Sequence, residues 1–425
     1  MQSDIKQVRK RRVFHIPGYD PIHPRRYREL YRSEAAAQAK ISGYEIAVQA
    51  QPSDDTFHWA VNAQIEGARV TARVDVLVWS DIVRDSMAQS IPATYWQLAK
   101  TTWIYAKTGT LRRLMMMRKG PVIAALYPVG MLLLQLIVAL WLGWFLGSLL
   151  EDALLWLLSL TGLTEGMFAS ALGSIAMLLK YAIFGGVIFT LLRWFKSKDN
   201  KLFAYYLMHD YAFSAQKWGA NPDALEARMT VFGDQIAAAL QSDVDEVLIV
   251  GHSSGAHLAI SIIADLIRAG RVRSDGPKLS FLSLGQVVPM VSFLPKARRL
   301  RGDLAFLATS DALTWVDVTA PGDGCCFALC DPVAVTGVTP PGKQWPLVIS
   351  AAFTQSLTPN RWKELRWRFF RLHFQYLCAF DQPKDYDYFQ ITAGPLSLAD
   401  RYRGRSPSKS RIDIAVSKYT SILPR

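Results

Sequence analysis

Residues 245–270 read DEVLIVGHSSGAHLAISIIADLIRAG. Asp245–Val250 supplies a continuous apolar run of the kind found in a strand covered on both faces of a parallel sheet. The apolar segment that starts at Ala256 predicts a helix. Between them stands Gly251-His252-Ser253-Ser254-Gly255, a G-x-S-x-G pattern. A serine on a sharp strand-to-helix turn takes a strained backbone, and glycines two residues either side let neighbouring backbone pack close. Such a turn lifts the Ser253 hydroxyl above the sheet edge. It also aims the Ser254 amide, at a helix N-terminus, toward a developing oxyanion.

In this strand-before, helix-after setting, GHSSG resembles the nucleophile elbow of the α/β-hydrolase superfamily, in its lipase/esterase form. The resemblance implies a triad in the chain order Ser, Asp or Glu, His. Of seven histidines, only His373 lies well after Ser253, since His257 falls inside the helix that follows it. His373 is therefore the expected general base. His252 and His257 are read as elbow neighbours that satisfy local hydrogen bonds. The strand LTWVDV ends in Thr319-Ala320-Pro321-Gly322-Asp323-Gly324. A carboxylate in a tight turn just past a strand suits the acid that fixes the imidazole tautomer, which makes Asp323 the choice. Asp331 is the alternative, and Asp317 is expected within the strand. The resemblance also implies a second oxyanion donor after an early strand. His15-Ile16-Pro17-Gly18-Tyr19 departs from a plain His-Gly, and the Tyr19 amide is carried over to that role.

Around the elbow, the chain alternates strands and helices. Arg12–Ile16 forms a short strand and RRYRELYRSEAAAQAKISG a helix. YEIAVQAQ and ARVDVLVWSDIV are strand-like, and Asn221–Leu240 is an amphipathic helix. Strands follow at Leu279–Leu284 and Leu313–Val318, with KARRLRGDLAFLA helical between them. This order predicts an open, mostly parallel α/β sheet flanked by helices. No final strand is evident immediately before His373, and no repeat is present.

Two apolar runs interrupt that pattern. Pro121–Leu150 holds 30 residues without a charge, where about 20 suffice to cross the hydrocarbon core. Met167–Phe195 is similar but carries Lys180, an ionisable group that costs about 2.5–3.5 kcal/mol at mid-bilayer. Ala169, Ala171, Gly173, Gly185 and Gly186 are expected to let this run pack on the first. Trp141, Trp144, Trp156 and Trp194 are candidate interface anchors, and Ala153–Leu163 a segment along the far interface. Arg112, Arg113, Arg118 and Lys119 precede the hairpin; Arg193, Lys196, Lys198 and Lys201 follow it. The connection carries Glu151, Asp152 and Glu165 and no basic residue. The positive-inside rule then puts both flanks in the cytoplasm, as for an integral protein of a plasma or inner membrane. The opening residues lack the apolar stretch of roughly 7–15 residues that a signal peptide needs.

The expected organisation is thus 1–120 and 196–400 as two parts of one α/β domain, 121–195 as a transmembrane hairpin, and 401–425 as a basic tail, solvated or touching lipid. Of 425 residues 51% are hydrophobic and 20% charged, which excludes a disordered or fibrous chain. The net charge of +13, with this apolar distribution, points to an anionic membrane surface and not to nucleic acid. Cys325, Cys326, Cys330 and Cys378 lack paired C-x-x-C spacing with partner histidines. They predict reduced thiols, with neither a zinc site nor a disulfide framework. No dinucleotide fingerprint or phosphate loop is present, so no cofactor is implied. The leading expectation is a membrane-anchored serine hydrolase acting on carboxylic esters, with lipid or long-chain acyl esters as a possible class. A catalytically silent scaffold on the same fold is the alternative. A transport role would rest on Lys180 alone and leaves the large soluble part unexplained.

Overall fold

The computed structural model describes residues 7–51, 56–162 and 166–423. The chain divides into two compact units, Met1–Ser86 with Thr102–Ala124 and Phe213–Arg425, and Met87–Thr101 with Ala125–Ala212. Segments 87–101 and 196–212, expected with the soluble part, thus belong with the hairpin.

The first unit is an α/β sheet of eight strands: β1 (Lys10–Ile16), β2 (Glu45–Ala50), β3 (His58–Ile65), β4 (Ala68–Val76), β5 (Glu246–His252), β6 (Lys278–Leu284), β7 (Thr314–Thr319) and β8 (Leu347–Ser350). Their order is β2-β3-β4-β1-β5-β6-β7-β8. β3 runs antiparallel to both β2 and β4, and every other neighbouring pair is parallel. The expected mostly parallel sheet is therefore present, with β3 and β8 in addition to the strands anticipated. ARVDVLVWSDIV does not continue as one strand: β4 ends at Val76, and Ser80–Met87 is a helix.

Every residue of β5 is buried, as its unbroken apolar run requires. Leu248 and Val250 join Val13, Tyr31, Val316 and Val318 in the core of one face. Strand alternation sends Val247 and Ile249 to the other face, where the helices Asp223–Leu240 and Gly255–Arg268 pack. A buried ion pair pins β1 to β5 at the sheet's centre. Arg11 Nε donates to Glu246 Oε2 at 2.6 Å. The guanidinium also donates to the carbonyls of Gly394 and Leu396, and Glu246 Oε1 accepts from Ser280 and the Leu398 amide. Each charge thus has the full set of partners that burial demands. Because β1, β5, β6 and β7 run parallel, the turns after them gather along one edge of the sheet.

The segment from Arg401 onward is not simply solvated. Ile412 exchanges backbone hydrogen bonds with Leu329 and Asp331, Val416 donates to Val335, and Leu423 donates to Arg298. The basic residues of this segment lie on a strap laid over the α/β unit.

The second unit contains two helices long and apolar enough to cross a membrane, Lys119–Leu160 and Met167–Ser197, the first beginning within the α/β unit. The first, 42 residues, is about 63 Å long, twice the hydrocarbon thickness. It runs straight through Glu151, Asp152 and Ala153–Leu160, so those residues are helical and not a connection or an interfacial segment. Glu165 and Leu163 lie outside the described residues. Lys180 Nζ donates to Glu151 Oε2 at 2.7 Å and stands 4.3 Å from the centre of the Trp144 ring. Trp144 thus contacts the second helix through Lys180 and the Phe184 ring while staying half exposed. The close approach is made by the first helix: a Cβ at Gly143 would come within 3.0 Å of the Phe184 carbonyl, and one at Gly147 within 2.8 Å of the Lys180 carbonyl. Gly173, Gly185 and Gly186, expected to serve this purpose, have nothing within 4 Å.

Candidate active site

The turn after β5 places Ser253 at φ 55, a left-handed conformation that a non-glycine residue adopts at a cost. Neighbouring contacts hold it there. The Ser253 amide donates to the Leu284 carbonyl at 2.9 Å, and its carbonyl accepts from the Ala256 amide at 3.1 Å. The two motif glycines have separate reasons. A Cβ at Gly251 would lie 2.7 Å from the Ala256 Cα, and one at Gly255 would run into the carbonyls of Ile16 and Pro17. Glycine thus lets the helix Gly255–Arg268 start against the ends of β1 and β5. Ser253 is half-buried, while Ser254 is buried at the N-terminal end of the helix and makes no side-chain capping hydrogen bond.

The turn after β1 lies over the serine. A Cβ at Gly18 would come 3.0 Å from the Ser253 Cβ and 3.4 Å from its Oγ. Trp79 Nε1 donates to the Pro17 carbonyl and holds this turn in place. The Tyr19 side chain is buried on Trp79 and Phe213, with its hydroxyl 2.5 Å from Ser86 Oγ. That packing fixes the backbone on which the Tyr19 amide sits. His15 is not on the turn. Its ring is buried 4.9 Å from Tyr27, both ring nitrogens lack a partner, and burial pulls its pKa down to about 3.

His373 and Asp323 meet at the same edge. His373 Nδ1 and Asp323 Oδ2 are 2.7 Å apart, which leaves Nε2 as the ring atom available for proton exchange. The ring reaches the end of β6, where a Cβ at Gly285 would come 3.0 Å from its Cε1. Gly285 follows Leu284, the partner of the Ser253 amide, so serine and imidazole share one strand end. Asp323 Oδ1 accepts from the Cys325 amide at 2.9 Å, and Oδ2 accepts from Tyr376 Oη at 3.1 Å. Burial works to raise this carboxyl. The facing His373, its hydrogen bond and the Cys325 amide outweigh that and hold it below the usual carboxylate range. An ionised, fully bonded carboxylate against Nδ1 is what holds an imidazole in one tautomer.

The sequence reading did not include Tyr376. Its hydroxyl accepts from the Ala320 amide at 2.9 Å while donating to Asp323, so it ties the acid to the end of β7. It lies 53 residues beyond Asp323, and no local pattern points to it. His252 is an elbow neighbour as expected: its Nε2 lies 3.0 Å from the His373 carbonyl, with the two rings 4.8 Å apart. His257 departs from that reading, because its buried Nδ1 has no hydrogen-bond partner.

The alternative acids are occupied elsewhere. Asp331 caps the helix Pro332–Thr336 through the Val333 and Ala334 amides and pairs with Lys343. Asp317 points into the sheet's other face, accepts from Ser283 Oγ at 2.5 Å, and is pushed by burial up to about 8. None of the four cysteines is in a disulfide. One donor atom each from Asp323, Cys325 and His373 falls within a mutual 4.8 Å, the one group among the described residues with metal-binding geometry. The His373–Asp323 hydrogen bond accounts for two of those three.

The edge thus carries a strained serine, an oriented imidazole, a bonded carboxylate and two backbone turns that converge on the serine. The chain matches no family model, no curated protein and no solved structure.

Proposed function

We propose that this chain is a membrane-anchored serine hydrolase with an α/β-hydrolase-like fold that cleaves carboxylic esters. The observation that carries the reading is Ser253, held at φ 55 at the same strand end that the Asp323-bound His373 reaches. Such strain persists only where surrounding contacts impose it, and it clusters at working sites.

In this reading His373 Nε2 takes the proton from Ser253 Oγ as the oxygen attacks the acyl carbonyl. Asp323 stabilises the imidazolium that results. The Ser254 and Tyr19 amides receive the oxyanion. Collapse of the tetrahedral intermediate expels the alcohol, which takes the proton from Nε2, and leaves an acyl-serine. A water activated by the same imidazole then releases the acid. The basic residues flanking the two long helices favour a cytoplasmic catalytic unit under the positive-inside rule. An anchor of this kind also favours lipid or long-chain acyl esters as substrates.

A fluorophosphonate probe tests the reading. Labelling is expected at Ser253 in the detergent-solubilised protein and is expected to vanish in Ser253→Ala and His373→Ala. Ester turnover should fall at least about 10,000-fold in Ser253→Ala. Well-folded wild type that never labels would instead support the silent-scaffold alternative. A flat rate profile from acetyl to palmitoyl esters would remove the lipid preference and keep the hydrolase.

A further inference from the structure

The turn that supplies the acid also supplies a thiol. Cys325 stands two residues past Asp323, with its amide anchored on Asp323 Oδ1 at 2.9 Å. Its side chain is half-buried, whereas Cys326 and Cys330 are buried. One donor atom from each of Asp323, Cys325 and His373 lies within 4.8 Å of the others. Thiolate, imidazole and carboxylate together are the donor set that Zn²⁺ selects. With zinc–ligand distances near 2.0–2.3 Å, donors around one tetrahedral ion stand roughly 3.3–3.8 Å apart. The Cys325 side chain, on a partly exposed turn, then has to close by about 1 Å, and the His373 Nδ1–Asp323 Oδ2 pair, 2.7 Å apart, has to open by roughly 0.6–1.1 Å.

We propose that Zn²⁺, or another thiophilic divalent transition metal, binds across Asp323, Cys325 and His373 and switches the hydrolase off. The metal site needs only the three donors; its inhibitory effect rests on the triad reading. On binding, Cys325 gives its thiol proton to solvent. The His373 ring moves its proton from Nδ1 to Nε2, so Sγ and Nδ1 each present a lone pair to the ion. Asp323 turns its charge from the imidazole to the metal. With its proton on Nε2, the ring cannot accept one from Ser253, and no nucleophile forms.

The full-length protein in detergent, stripped of metal by a chelator, is titrated with Co²⁺ and separately with buffered Zn²⁺. Co²⁺ is expected to give a thiolate-to-metal charge-transfer band that Zn²⁺ abolishes by displacement. Cys325→Ser keeps the anchoring amide and should lose the band. Its Zn²⁺ affinity should fall by at least about 100-fold, beyond what loss of an outer-shell partner produces. Fluorophosphonate labelling of Ser253 should drop with Zn²⁺ in wild type and hold steady in Cys325→Ser. Cys325→Ala should repeat the result, and Cys378→Ser should bind as wild type does. Equal affinity in wild type and Cys325→Ser, or a cobalt spectrum without a thiolate band, overturns the site. A thiolate band in a wild type that never labels, even when metal-free, upholds the site and overturns its inhibitory role together with the hydrolase reading. Normal labelling that Zn²⁺ leaves untouched overturns the switch and leaves the hydrolase intact.

Discussion

In the α/β unit, Arg11 and Glu246 are wholly buried at the centre of the sheet, and the polar groups of the site edge are answered by named partners. In the helical unit, Trp141 and Leu178 are each 65% exposed, while the one close ion pair of its two long helices, Lys180–Glu151, is turned inward. The first unit hides apolar side chains and matches the charges it must bury. The second shows apolar side chains and turns one ion pair, Lys180–Glu151, inward, while Asp152 and Arg193 stay exposed. Residue type alone does not decide burial; the surrounding solvent does. An exposed apolar surface this extended suits hydrocarbon and not water.

That contrast can be broken at measurable points. The largest expected effect lies in the hairpin. Lys180→Leu leaves Glu151 without its partner between two apolar helices and should destabilise the protein by about 2.5–3.5 kcal/mol. Adding Glu151→Leu should restore most of the loss, as observed when buried pairs are replaced whole. The unfolding midpoint in detergent reads both, and a double variant no better than the single would show that the pair has no such role. In the sheet unit, Gly18→Ala puts a methyl group 3.0 Å from the Ser253 Cβ and 3.4 Å from both its Oγ and the His252 carbonyl. It should cut kcat about 100-fold, the cost of misplacing a reacting atom by roughly 1 Å, with the midpoint nearly unchanged.

Acid sharpens the comparison next. Burial lowers His15 to about 3 and His257 to about 4, and it lowers His252 well below its ordinary value. The unfolded chain therefore takes up protons first as pH drops below about 6.5. The stability from these groups is complete above that value and is lost toward pH 3–4, at about 1.4 kcal/mol per pH unit for each histidine. The two long helices contain no histidine, and the helical unit carries one such group outside them, His209, which burial lowers to about 4. His257→Leu should reduce the slope of stability against pH by about one proton; an unchanged slope would contradict the assignment. The smallest effect is expected from Tyr376→Phe. Losing one hydrogen bond to Asp323 should cost about 0.5–1.5 kcal/mol of orientation, read as a roughly two- to tenfold fall in kcat.

The parts of this molecule that were legible in the sequence are those whose cause is local. β5, the elbow and its helix follow from one stretch in which apolar run, glycines and serine agree. Asp323 was found from a strand followed by a Gly-Asp-Gly turn, and His373 because no other histidine remained. β8 escaped because its four residues follow Pro346 and sit far from His373 along the chain. β4 stops at Val76, short of the polar Ser80-Asp81 that marks the expected strand end, because the local apolar pattern does not show where pairing with β1 and β3 stops. Tyr376, the Glu151–Lys180 pair and the packing of Gly143 and Gly147 depend on contacts between distant segments. Gly173, Gly185 and Gly186, at plausible spacing, pointed to the wrong helix for the close approach.

The ion pair between Arg11 and Glu246 joins residues 235 positions apart. β1 precedes both long apolar helices in the chain, and its neighbour β5 arrives only after both have been synthesised. At roughly 5–20 residues per second, that interval is about 12–47 s. During it β1 has an open edge and an unpaired guanidinium, so the sheet's centre and the elbow cannot close. Whatever receives the two long helices therefore does so before the turn at Ser253 can take its folded form.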